Sequence, residues 1–163
     1  GLHHREPGMV GAAMTTHGTY AEAICDGHHL NPIAVRALVN AKGADHTVLI
    51  TDCMRAGGMP NGQYNLGDFP VVVEGGTARL MDDSHSLAGS ILRLFESVKN
   101  VYDWGIVSAE EAVRMASENP ARSCGIDDVC GFIRPGYDAD FIVITKNLQL
   151  EETFLGGKSV YKA

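Results

Sequence analysis

The sequence has 163 residues, 45% of them apolar and 20% charged, enough for about one domain with a real core. Its 13 lysines and arginines against 20 acids give a formal charge of −7, so no cationic excess exists to displace counterions from nucleic acid. No apolar run approaches the roughly 20 residues of a membrane helix, and the opening Gly-Leu-His-His-Arg-Glu-Pro-Gly lacks the basic and apolar regions of a signal peptide.

The expectation is a soluble, acidic, cytoplasmic α/β protein with no nucleic-acid or membrane partner. Cys25, Cys53, Cys124 and Cys130 contain no Cys-x-x-Cys pair, which predicts buried, reduced thiols. The 19 dispersed glycines predict many tight turns. The chain opens without methionine and inside a dense polar motif, so it reads as a fragment.

In chain order, Arg5 lies between His4 and Glu6 and is followed by Pro7-Gly8, a short cationic turn. A strand is expected over 20–24. The segment from Pro32 to Lys42 is expected to be helical, because Asn31 suits the cap, Pro32 the first helical position and Gly43 the stop. A second strand follows over 47–51. Strand, helix and strand within so short a span form a right-handed βαβ unit with parallel strands.

Residues 57–85 carry turn glycines and prolines around Val71-Val72-Val73, which fits a β-hairpin-like excursion inserted after that strand. The apolar spacing of Leu87, Ile91, Leu94, Phe95, Val98, Val101 and Tyr102 predicts a helix over 86–104. Another starts at Ser108 with Glu111 in a capping box and ends before Asn119-Pro120, leaving a short turn over 120–123. From Gly131 onward the pattern is strand and turn, with strands at 140–144 and 158–161.

Function collects at the carboxyl ends of strands in parallel α/β folds. The first strand delivers Asp26-Gly27-His28-His29 and the second Thr51-Asp52-Cys53. Neighbouring strands lie about 4.8 Å apart, so His29 and Asp52 could address one small molecule. An Asp at such a place serves as a helix cap, a turn residue or a general base. The Arg5 guanidinium can bind phosphate or carboxylate through its planar fork, or form a surface ion pair with Glu6. Leu87-Ala88-Gly89-Ser90 reads either as free N–H groups at a helix start facing a ligand, or as small residues at a close packing contact. The seven histidines include adjacent pairs at His3-His4 and His28-His29, but no ligand spacing, and no metal site is expected within the chain.

Together these segments resemble the C-terminal part of the N-acetylglucosamine-6-phosphate deacetylases of the amidohydrolase superfamily. The segments that carry the resemblance are Arg5-Glu6-Pro7-Gly8 with Gly11-Ala12-Ala13, Asp26-Gly27-His28-His29, Ile50-Thr51-Asp52, Leu87-Ala88-Gly89-Ser90, Asn119-Pro120-Ala121, and Gly136 through Asp140. The resemblance implies part of a (β/α)8 barrel (TIM barrel) over 1–130, with the excursion near 57–85, and strands of a small β-sandwich over 131–163. It implies Asp52 as general acid/base. Arg5 would bind the 6-phosphate, Asp26, Gly27, His28 and His29 the substrate, and Leu87, Ala88 and Gly89 would line the pocket. It further implies a divalent metal such as zinc, with ligands upstream of Gly1, and a homodimer in which the phosphate-binding Arg crosses the interface. The isolated chain would then be inactive. Two other readings are a different amidohydrolase, such as a deaminase or cyclic-amide hydrolase, and an inactive fragment that binds sugar phosphate.

Overall fold

A computed structural model describes residues 1–163. Its centre is the βαβ unit. Strand β1 (Ala21–Ile24) and strand β2 (Thr47–Ile50) pair in parallel, from Ala21 opposite Thr47 to Ile24 opposite Ile50. A helix at Gly8–Thr15 (α1) precedes them and α2 (Pro32–Lys42) joins them. The Asn31 side chain accepts the Ile33 N–H at 2.9 Å, and Gly43 ends α2 at φ +83°, a conformation that favours glycine. Sequence patterning gave no sign of α1, whose only buried residue is Gly11.

One face of β1 and β2 packs on α2 and on two later helices, α3 (Leu94–Asp103) and α4 (Ala109–Ala116). Ala23, Cys25, Val35, Val39, Leu49, Val98, Val101, Ala112 and Met115 form this core. A fully buried side chain such as Met115 contributes about 1.5–3 kcal/mol of hydrophobic stabilisation.

Between β2 and α3 stands a three-stranded antiparallel sheet of β3 (Gly62–Leu66), β4 (Phe69–Glu74) and β5 (Thr77–Leu80). Met54, Ala56, Val71, Val73, Ala78 and Ala88 give it a second core. Residues 86–93, expected to be helical, are not helical but form an irregular segment with two isolated bridges. Leu87 bridges antiparallel to Arg79, and Ser90 bridges parallel to Cys53. Gly89 at φ +67° interrupts any helix here. Leu87 and Ile91 are apolar because they pack on the second core or the sheet beside it, not because they share a helix face. Helix α3 therefore begins only after Arg93, whose N–H donates to the Glu96 carboxylate at 3.2 Å.

Helix α4 starts with the expected box, Ser108 and Glu111 each receiving the other's backbone N–H. The turn expected over 120–123 is instead a helix, α5 (Glu118–Cys124). Pro120 sits in its first turn, where no N–H is needed, so proline does not break it. Asn119 is fully buried and donates to the Ala44 and Thr47 carbonyls at 2.7 Å, fixing the start of β2. The last sheet is antiparallel: β6 (Phe141–Ile144), β7 (Leu150–Leu155) and β8 (Lys158–Lys162). Strand β7 escaped the sequence reading because Glu151-Glu152-Thr153 lacks a clean alternation. Phe141 stacks on Phe154 at 4.5 Å between ring centroids. No helix is long and apolar enough to cross a membrane. All four cysteines are free, but only Cys25 is buried; Cys53 and Cys124 are exposed, which corrects the expectation of buried thiols.

Candidate active site

The carboxyl ends of β1 and β2 turn in different ways. After β1, Gly27 adopts φ +80° and folds the chain back on Asp26. Asp26 Oδ1 accepts the backbone N–H groups of His28 and His29, both at 2.8 Å. Its Oδ2 meets His29 Nδ1 at 2.7 Å. Partial burial pushes the Asp26 carboxyl upward, but the N–H and ring bonds of His29, with that of His28, outweigh it. The carboxyl therefore sits below the ordinary aspartate range. Burial, with the Asp26 charge added, pushes the neighbouring Cys25 thiol up to about 12, which makes it unreactive.

After β2 the geometry is held by backbone. Asp52 has φ +46°, a conformation that Asp tolerates better than most side chains. Its carbonyl accepts the Ser90 N–H at 2.8 Å, and the Ser90 carbonyl accepts the Met54 N–H at 2.8 Å. The buried Ser90 hydroxyl donates to the Thr51 carbonyl. Gly89 packs so closely that a Cβ there would lie 2.9 Å from the Asp52 carbonyl oxygen and 3.7 Å from its carboxylate. That carboxylate is exposed and takes no hydrogen bond or ion pair from the chain.

The other proposed positions fall around these two. His28 reaches the β4–β5 turn, where a Cβ on Gly76 would lie 3.5 Å from its Nε2. Asp26, His28, Gly76, Arg93, Glu96 and Asn100 line a polar cleft of about 510 Å³. Ala88 is buried in the second core, and its N–H donates to the Ala78 carbonyl at 2.9 Å. With the Ser90 N–H also engaged, the backbone of 87–90 is not the set of free donors at a helix start that one reading offered. It stitches the inserted sheet to Asp52.

Arg5 is exposed ahead of α1, and only its backbone N–H is engaged, by His3 Nδ1 at 3.3 Å. The structure thus joins Asp26 to His29 and Gly89 to Asp52, and leaves Arg5 apart from both. No three His, Cys, Asp or Glu side chains converge to hold a metal ion. Ser90 and Asn100 are the positions that pattern reading did not single out for themselves. Ser90 was visible inside the Leu-Ala-Gly-Ser run, whereas Asn100, a polar residue on a helix, carried no signal.

The profile of the amidohydrolase family matches residues 9–160. An N-acetylglucosamine-6-phosphate deacetylase of Vibrio furnissii is 42% identical over 163 residues, which are 100% of this chain and 40% of that protein. An Escherichia coli K12 protein, provisionally named N-acetylgalactosamine-6-phosphate deacetylase, is 41% identical over 97% of this chain and 93% of its own length. The crystal structure of N-acetylglucosamine-6-phosphate deacetylase from Thermotoga maritima superposes with a TM-score of 0.90 at 35% identity, covering 99% of this chain and 44% of that one. The chain thus spans less than half the length of the Vibrio and Thermotoga proteins.

Proposed function

The chain belongs to the amidohydrolase family, and from that premise we propose that it carries the proton-transfer and substrate-binding portion of a deacetylase acting on N-acetylglucosamine 6-phosphate. The products are glucosamine 6-phosphate and acetate. The fold is that of part of a (β/α)8 barrel with strands of a β-sandwich. We assign residues 1–130 to the barrel portion and 131–163 to the sandwich. The single observation that carries the reading is the unpaired Asp52 carboxylate at the end of β2, on a backbone that Ser90 ties down.

In this reading water adds to the acetamide carbonyl and Asp52 takes its proton. Asp52 then delivers that proton to the nitrogen as the C–N bond breaks, so that a neutral amine leaves rather than an amide anion. The hydrogen bond to Asp26 fixes which ring nitrogen of His29 faces the loop and leaves Nε2 to the substrate. Gly27 and His28 shape the same wall, and Leu87 and Gly89 border Asp52. Arg5 binds the 6-phosphate, and in a homodimer it would serve the partner's site. The family is typically metal-dependent, but these residues form no site for an ion. A divalent metal such as zinc would take its donors from outside this chain, and no step above passes through it. The chain alone is then expected to bind rather than turn over. The reading places it in the cytoplasm.

The E. coli relative's name raises a second substrate, the galacto epimer. Calorimetry with N-acetylglucosamine 6-phosphate, its galacto epimer and unphosphorylated N-acetylglucosamine tests both. Arg5→Ala is expected to weaken the phosphorylated sugars ten-fold or more, since losing one desolvated charged contact costs about 2–5 kcal/mol. The plain sugar should be indifferent. Equal losses on all three would remove Arg5 as the phosphate ligand, and tighter binding of the galacto sugar would shift the substrate.

A further inference from the structure

The loop that presents Asp26 and His29 is braced from outside by the end of α3. At the end of β1 the Cys25 carbonyl points out of the β1–β2 ladder, and Asn100 Nδ2 donates to it at 2.8 Å. One turn further on, the indole of Trp104 lies against Gly27, its Cζ2 3.7 Å from where a Cβ would stand. Trp104 is itself anchored. Arg36 of α2 donates from Nη2 to the Trp104 carbonyl at 2.8 Å and from Nη1 to the Gly105 carbonyl at 3.0 Å. A guanidinium on the last carbonyls of a helix also satisfies its negative end. Gly27 at φ +80° gives the loop no side chain of its own to wedge it, so its position must come from what it leans on.

We infer that Asn100 and Trp104, anchored by Arg36, form a clamp that positions the 25–29 loop, and with it the Asp26–His29 pair. This rests on the proposed function only in taking that loop to face the substrate. Asn100 fixes the height of the loop at the strand end, and Trp104 closes its outer side. Neither touches the reacting atoms, so both are positioning residues. Nothing in the local sequence around His29 reveals them, because they lie some 70 positions away in the chain.

Amide hydrogen exchange on the 163-residue chain reads the clamp without any ligand. The His28 and His29 amides donate to Asp26 only while the loop keeps its shape. Asn100→Ala and Trp104→Ala should each lower protection of those two amides ten-fold or more. The Ala112 amide, bonded to the Ser108 carbonyl within α4, should stay within three-fold of its original value. Trp104→Phe should recover most of the protection, since a ring still covers Gly27. Unchanged His28 and His29 amides in a folded variant would overturn the clamp, and so would a uniform fall that includes Ala112. Should Trp104→Ala not fold, Asn100→Ala decides alone. Calorimetry with N-acetylglucosamine 6-phosphate on the same samples separates the two claims. No binding by the original chain sinks the substrate reading and leaves the exchange result standing. Undiminished affinity in both alanine variants shows that the clamp does not serve the site.

Discussion

Asp26 and Asp52 stand at matching places. Ile24 pairs with Ile50, and each aspartate lies two residues beyond that rung, at the carboxyl end of its strand. Their surroundings are opposite. Asp26 has both oxygens engaged by His28 and His29, and it is half-buried. Asp52 has a positive φ, backbone atoms tied down by Ser90, and a carboxylate tied to nothing. A carboxylate already saturated with donors is a poor base and a good support. One that is free, on a backbone that cannot swing, is placed for proton transfer. The same residue type at the same level of two neighbouring strands thus divides into orienting and reacting roles, and the division is set by what lies behind each strand end.

The sharpest way to break that division is Asp52→Asn. The amide keeps the shape and loses the proton-accepting oxygen. In a preparation that turns over the sugar phosphate, kcat should fall by about 100-fold or more, as for a lost general acid/base, with binding by calorimetry nearly unchanged. Near-normal turnover would remove Asp52 from the chemistry and dissolve the contrast.

A smaller effect probes how Asp52 is held. In Gly89→Ala the new methyl must adopt φ +67° and would lie 2.9 Å from the Asp52 carbonyl. The strained backbone costs about 1–3 kcal/mol. A lower urea midpoint should accompany loss of the Ser90–Asp52 backbone bond, visible as faster exchange of the Ser90 amide. Unchanged stability would mean that the 87–90 segment tolerates a side chain and does not fix Asp52.

How much of this was legible in the sequence follows from the range of the forces involved. Helix α2 was readable because Asn31, Pro32 and Gly43 punctuate it within the chain itself. Asp26, His29 and Asp52 stood out because both strand ends carry polar runs. Residues 86–93 misled because Leu87 and Ile91 fall at helical spacing, although each is half-buried beside the inserted sheet for its own reason. Pro120 misled because proline was read as a terminator, when its place in the first turn of α5 lets it begin a helix. The inserted sheet could be sensed from its turn residues, but its attachment to Asp52 through Ser90 could not. The Ser90 hydroxyl beside it reaches back to Thr51, 39 positions away. The Asn100 contact with Cys25 spans 75 and had no local trace at all. Short-range punctuation wrote the elements, while tertiary contacts decided which aspartate was left free.

The mildest prediction concerns the orienting partner, through pH. The Asp26 carboxyl is lowered in the folded chain, because the His29 and His28 donors outweigh the upward push of burial. A depressed carboxyl stabilises the fold at pH values above the unfolded aspartate value of about 3.9. That contribution fades as pH falls from there through the folded value, where the carboxyl takes up a proton and gives up its donors. Urea midpoints measured from about pH 6 down to 2 should therefore fall more steeply below about pH 4 in the original chain than in Asp26→Asn. The two curves should converge at the acid end, where the original carboxyl is also neutral. Because Asp26 is only half-buried, water screens part of the effect and the gap should be modest. An unchanged acid slope in Asp26→Asn would mean that the donors around this carboxyl have no thermodynamic consequence, and the contrast between the two strand ends would then rest on geometry alone.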